Sequence, residues 1–476
     1  MTAYLRSNWL LLLLLVLCIG RLWLMPLPSS FWTDEMGTAF IVERPVDPSL
    51  AAVPQLPVSI YYALPRAVHS LFGLSEIAYR APSVLLMGLA LFVVGKLGGR
   101  LIDPASGWFA VFACLALGDF DYYAADARPY ALGICVACFT VYFLVRWLDT
   151  NDWKRAVLFV VFGALLWRVQ LVFWPFYPVL AAYAFVRRRS YTVIVYFALL
   201  GIALLPVAIQ AIHIFRVAGS HTFAAMPSFK DLARAASWKM VLFWGAVPLV
   251  FRQPRQRAAS AADLVLIVLW WLWMPLCLFA FSYATGTVLF VPRYFSLILP
   301  GIALATTAAV ALYLPPNRWK LAAALLAVGA LIAQGHWHSI WYGHTEENWK
   351  QASANVDETP VVAISPFIEA QPPVWSPDYP LPGFLYAQLF VYPVRGMVYP
   401  FPLFATDQTK AYAAGLVADT LAKRGSFIVY GVDRGTRPWI DWFAGRPELA
   451  SWSVTQEGSG VIDVAVFSRG IFGANF

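Results

Sequence analysis

Two short acidic stretches carry the residue types that could do chemistry. One is Phe31-Trp32-Thr33-Asp34-Glu35-Met36, and the other runs from Asp119 through Asp121 and Asp126 to Arg128, Pro129 and Tyr130. Each lies just outside an apolar run in a chain with only 26 Asp and Glu among 476 residues. An unpaired carboxylate inside a bilayer costs roughly 2.5–3.5 kcal/mol or more, so acids gathered beside apolar runs point to a polar reaction chamber at the lipid boundary. A carboxylate there can serve as general base toward a hydroxyl. A guanidinium, offered by Arg128 and by Arg293 in Val291-Pro292-Arg293-Tyr294, matches phosphate oxygens bidentately.

The elements that must position these groups follow from composition. The chain is 60% hydrophobic and 13% charged, with mean hydropathy +0.65, which is the profile of an integral membrane protein. Eleven apolar spans are expected, at about 8–27, 81–97, 106–118, 129–147, 156–169, 171–186, 191–214, 238–251, 263–284, 294–314 and 319–341. Arg21 is read as snorkelling within a retained first helix. The net charge of +8 sits largely in short connections such as Arg187-Arg188-Arg189. This is the positive-inside pattern, and it gives no reason to invoke nucleic acid. An odd span count sets Asp34, Asp126, Arg293 and the tail from about 343 on the outer face.

The expected architecture is a polytopic α-helical membrane domain over 1–342, followed by a C-terminal α/β exterior domain over 343–476. Within the first domain, the outer loop 28–80 carries two amphipathic helices, near 57–64 and 67–72, lying in the interface. In the second, Pro360–Ser365, Phe427–Val432 and Val461–Phe467 read as strands. Thr409–Arg424 reads as a helix capped by Gly425. All five cysteines fall in apolar stretches, so Cys135-x-x-Cys138 is expected to pack in the core.

The ordered set Asp34-Glu35, Tyr79-Arg80-Ala81-Pro82-Ser83, Asp126-Ala127-Arg128-Pro129-Tyr130 and Arg293-Tyr294 resembles the GT-C superfamily of membrane glycosyltransferases. It is most similar to the protein O-mannosyltransferase and aminoarabinose transferase branch. The resemblance implies inverting transfer of a sugar from a polyprenyl-phosphate donor to an acceptor hydroxyl, on a protein, lipid or glycan, at the outer face of a bacterial inner membrane. Asp34, Glu35 and Asp126 are then the catalytic candidates, with Arg293, Arg128, Tyr130, Tyr294 and Arg80 binding substrate.

Each residue also has a plainer reading. Asp34 fits a loop charge or helix cap, and Glu35 a loop-positioning group. Asp119 and Asp121 fit surface residues, Arg293 a snorkelling anchor, and Arg128 a partner of Asp126 or Asp121. No metal ligand set is assigned. A divalent cation bridging Asp34, Asp126 and phosphate, or held by His336, His338 and His344, is the alternative, although hard cations want more oxygen ligands than these residues guarantee. The rival function is a transporter or flippase of lipid-linked intermediates, but no paired hydropathy repeats with broken helices accompany it. The identities of sugar and acceptor stay open.

Overall fold

The computed structural model describes residues 2–52, 59–218, 225–251, 259–372 and 374–469. Its helices in chain order begin with α1 (Thr2–Cys18), α2 (Thr33–Glu43), α3 (Ala63–Phe72), α4 (Glu76–Leu101), α5 (Gly107–Leu115) and α6 (Gly118–Ala124). There follow α7 (Tyr130–Thr150), α8 (Trp153–Val169), α9 (Tyr177–Arg187), α10 (Tyr191–Ala218), α11 (Phe229–Ala235) and α12 (Trp238–Ala246). Then come α13 (Ala261–Thr285), α14 (Leu299–Ala311), α15 (Trp319–Gln334) and α16 (Trp349–Ala354). The chain divides into two compact units. One comprises 1–27, 57–64 and 80–342, and the other comprises 28–56, 65–79 and 343–476.

The first unit is helical. Six of its segments are long and apolar enough to cross a membrane: Ser7–Leu24, Glu76–Leu101, Tyr130–Thr150, Tyr191–Ile212, Ala261–Thr285 and Pro292–Ala311. The protein is an integral membrane protein. The other five expected spans fall on shorter helices, among them α5 with nine residues and α15 with sixteen, so eleven crossings remain an expectation.

Close helix contacts depend on glycine. A Cβ on Gly107 would stand 2.7 Å from the Gly95 carbonyl oxygen, and one on Gly301 would stand 2.7 Å from the Trp270 carbonyl carbon. Small residues therefore let α4 meet α5, and α13 meet α14, backbone to backbone. Asn151 ends α7 in the left-handed region (φ 55°), and Asp152 restarts the chain by accepting a hydrogen bond from the Lys154 N–H at 3.0 Å. At the opposite end of α7 from the second acidic stretch, Asp149 accepts from Arg100 Nε at 2.6 Å and pairs with Arg187 at 3.2 Å, which ties α4, α7 and α9 together. Cys135 and Cys138 are buried free thiols in the core, as their apolar setting led us to expect.

Arg21 has a defined set of partners. Its guanidinium donates to the carbonyls of Gly335, His336, Ser339 and Ile340 at 2.5–2.8 Å. These carbonyls belong to the segment that follows α15, and a five-donor side chain reaches all four at once.

The second unit carries a five-stranded sheet of order β2-β1-β3-β5-β4, with β1 Val361–Ile364, β2 Val398–Phe401, β3 Ser426–Val432, β4 Trp452–Ser459 and β5 Ile462–Arg469. β1 runs parallel to both β2 and β3, while β5 is antiparallel to β3 and β4. β1 and β3 are buried on both faces, which explains their uninterrupted apolar runs. The helix expected over 409–424 instead spans Asp407–Asp419, capped by Thr406, before a separate 3₁₀ turn at Leu421–Lys423. In the first loop, a 3₁₀ turn at Ile60–Tyr62 leads into α3. The Pro57–Val58 part of the expected first amphipathic helix lies outside the described residues.

Candidate active site

In the helical unit, the second acidic stretch folds as α6 followed by the turn into α7. Asp126, Tyr130 and Tyr123 are buried, and Arg128 is half-buried. The Ser83 hydroxyl donates to the Asp126 carbonyl oxygen at 2.6 Å and fixes the turn from α4. Tyr123 lies at the centre of this group. Its ring centroid is 5.1 Å from that of Tyr130. Its phenol is held well above the usual range, first by burial and then by Tyr130, Asp119 and Asp126, while Arg293 pulls it down. Three sequence candidates, Asp126, Tyr130 and Arg293, thus share one electrostatic neighbourhood. Arg293 opens a 3₁₀ segment, Pro292–Ile298, with its guanidinium carbon 5.8 Å from the Tyr294 ring centroid.

A cavity of about 450 Å³ opens beside them, lined by Asp119, Tyr123, Phe290, Phe295, Ser296 and Arg234, among others. Its wall includes α11, for which the sequence reading gave no role. The available signal was Ser228-Phe229-Lys230-Asp231, a capping box in which the Ser228 N–H donates to Asp231 at 2.9 Å and the Asp231 N–H donates back to the Ser228 hydroxyl at 3.3 Å.

Asp119 and Asp121 part company. Asp119 lies along the cavity, with its carboxyl raised by desolvation. Asp121 is not a surface residue: it is buried and accepts from the Trp23 indole N–H at 2.7 Å. Burial raises its carboxyl well above the usual range despite that hydrogen bond. Arg80 is fully buried and donates to the carbonyls of Pro26 and Leu27 at 3.2 and 2.9 Å. In these contacts it braces the end of the first membrane segment.

In the other unit, Asp34 and Glu35 form the first turn of α2. Asp34 is half-buried, and Glu35 is fully buried with a carboxylate oxygen accepting from the Trp32 N–H at 3.2 Å. Glu35 thus closes the helix start while Asp34 lies beside it. A Glu35 oxygen and a His344 ring nitrogen lie within 4.8 Å of each other. In the helical unit, His336 stacks on Tyr342 at 4.4 Å and stands 6.0 Å from His338.

Comparison with known proteins adds a partial family match and a shared fold. Residues 57–213 match the family model of the dolichyl-phosphate-mannose-protein mannosyltransferases. No curated protein matches the chain. Among solved structures, ArnT from Cupriavidus metallidurans bound to undecaprenyl phosphate is similar at 11% identity and a TM-score of 0.54, over 98% of this chain and 99% of that one. The apo form of the same protein gives 11% identity and 0.56, over 99% of both chains. The family model covers residues 57–213 only, and the structural matches show that the chain shares the fold of ArnT along nearly its whole length.

Proposed function

We propose that the protein is an inverting glycosyltransferase. In this reading it moves a sugar from a polyprenyl-phosphate carrier to an acceptor hydroxyl at the outer face of a bacterial inner membrane. The observation that carries the reading is the cluster of Asp126, Tyr130 and Arg293 around the buried Tyr123 phenol, beside a cavity lined by both charged and apolar side chains. A glycosyl phosphate on a lipid likewise joins a charged head and a sugar to a hydrocarbon tail.

The chemistry asks little of the protein beyond placement and charge. A phosphate leaves without much protonation, so one base suffices. Asp34 takes the proton from the acceptor hydroxyl as its oxygen attacks the anomeric carbon. The bond from that carbon to the phosphate oxygen breaks on the opposite face, and Arg293 stabilises the departing phosphate. Attack from the face opposite the leaving group inverts the centre. Glu35 fixes the start of α2, and Asp126 bears on Arg293 and the acceptor side. Tyr130 and Tyr294 contribute aromatic faces, Arg128 is the second phosphate contact, and Arg80 acts through the backbone carbonyls it holds. The protein's partners in this reading are the lipid-linked donor, a protein, lipid or glycan acceptor, and the surrounding lipids. The comparisons give the transporter or flippase alternative no support.

Native mass spectrometry of the full chain with undecaprenyl phosphate and undecaprenyl-phosphate mannose tests the donor class. Retention of either lipid, lost in Arg293→Ala, is the expected result. Equal retention by Arg293→Ala, or retention of neither lipid, contradicts the reading.

A further inference from the structure

The start of α2 is anchored residue by residue to the chain that follows Gly343. Ser29 Oγ accepts from the His344 N–H at 3.0 Å, and Ser30 Oγ accepts from the Lys350 N–H at 3.3 Å. The Phe31 N–H donates to the Tyr392 hydroxyl at 2.8 Å, and that hydroxyl donates to Glu76 at 3.0 Å. The last anchor differs from the others. One oxygen of Glu347, Oε2, accepts from the Thr33 N–H at 2.8 Å, from the Thr33 hydroxyl at 2.7 Å and from the Trp349 indole N–H at 2.8 Å. Trp349 is wholly buried, so the indole fixes where that oxygen stands. Glu347 is itself pinned by its N–H to the Thr345 hydroxyl at 3.2 Å and by a strand-like bridge to Gly460.

We propose that Glu347 is a positioning residue for catalysis, setting the place of the helix turn that presents Asp34. The argument is geometric. Thr33 is the first residue of α2, and its N–H is among those that a helix start leaves without an intrahelical acceptor. A carboxylate oxygen held on both the N–H and the hydroxyl of that residue fixes its position and its side-chain rotamer together. Asp34 is the next residue, so any shift at Thr33 reaches it through a single peptide unit. The anchor lies 314 positions along the chain, which makes the placement of the base depend on the folding of the C-terminal segment. This inference rests on Asp34 being the base.

The test uses the full-length protein in lipid nanodiscs and the variants Glu347→Ala, Glu347→Gln and Asp34→Asn, with Glu346→Gln as an exposed control. Amide hydrogen exchange is followed for peptides covering 31–38 and, for comparison, β1 and β3. Glu347→Ala is expected to speed exchange in 31–38 by about tenfold, with the strands unchanged. Glu347→Gln, which keeps one acceptor oxygen, should fall between, and Glu346→Gln should match the unaltered protein. With undecaprenyl-phosphate mannose as probe donor, kcat should fall about 10–100-fold in Glu347→Ala, with KM within about twofold, as expected for a displaced reacting group.

Unchanged exchange in 31–38, a loss of protection that extends to the strands, or a raised KM with unchanged kcat would each overturn the positioning role. If Asp34→Asn transfers at the normal rate, the base assignment falls with the kinetic arm. The exchange result then decides by itself whether Glu347 holds the turn.

Discussion

Particular carboxylates in the two units are held by different means. In the helical unit, Asp121 is packed in apolar surroundings with one indole N–H for company, and burial pushes its carboxyl up. Asp149 there is held between two guanidinium groups. In the other unit, Glu347 and Glu35 rest on backbone N–H donors at the start of α2. Burial disfavours the charged form of an acid, whereas fixed amide donors favour it and place it without a mobile partner. Buried Asp121 belongs to the packing of the helical unit, and Asp34, the proposed base, stands on the helix start that backbone donors and Glu347 hold.

The sharpest break in this comparison is expected at the phosphate contact. Arg293→Ala should lower transfer by about 10²–10³-fold, measured as kcat/KM with a lipid-linked donor, because fixed charge at a leaving group acts mainly in the transition state. Next comes packing in the sheet unit, where Phe427 stacks on Phe467 with centroids 4.7 Å apart and planes within 5°. Phe427→Ala should cost about 3–5 kcal/mol, read as lost exchange protection in β3 and β5, with protection in α7 and α13 retained.

On the helical side, Arg100→Ala leaves Asp149 with Arg187 alone. The pair is partly exposed, so a destabilisation of about 2 kcal/mol is expected, measurable by thermal unfolding. The smallest effect belongs to Asp121. Its folded form favours the proton, so the stability it lends is complete below the ordinary carboxylate value of about 3.9 and is lost as pH rises toward its elevated value. Asp121→Asn should therefore match the unaltered protein near about pH 4 and become the more stable of the two as pH rises. The opposite pH trend would remove the neutral-acid reading.

Much of this arrangement is legible in the chain itself. Asp34-Glu35 and Asp126–Tyr130 stand out because charge beside apolar runs is costly, β1 and β3 announce themselves as apolar runs, and β5 does so despite Asp463. β4 does not, because Trp452–Ser459 is an edge strand with a polar, exposed surface. β2 does not, because four residues including Pro400 offer too short a pattern. Tyr123 is indistinguishable by type from Tyr122, and only burial separates them. Glu347 is the instructive miss. Its neighbourhood reads as a polar, helix-prone junction, and nothing local signals that its oxygen caps a helix more than 300 residues earlier. Asp121 reads as a surface acid for the same reason, since its indole partner lies on the first membrane segment.

The central claim is that Asp34 is the base, and the most direct measurement is single-turnover sugar transfer by Asp34→Asn in nanodiscs, alongside its donor retention and thermal unfolding. The account predicts retained donor, unchanged unfolding, and transfer reduced by at least about 100-fold. Transfer at the unaltered rate in a folded, donor-retaining Asp34→Asn protein would contradict it.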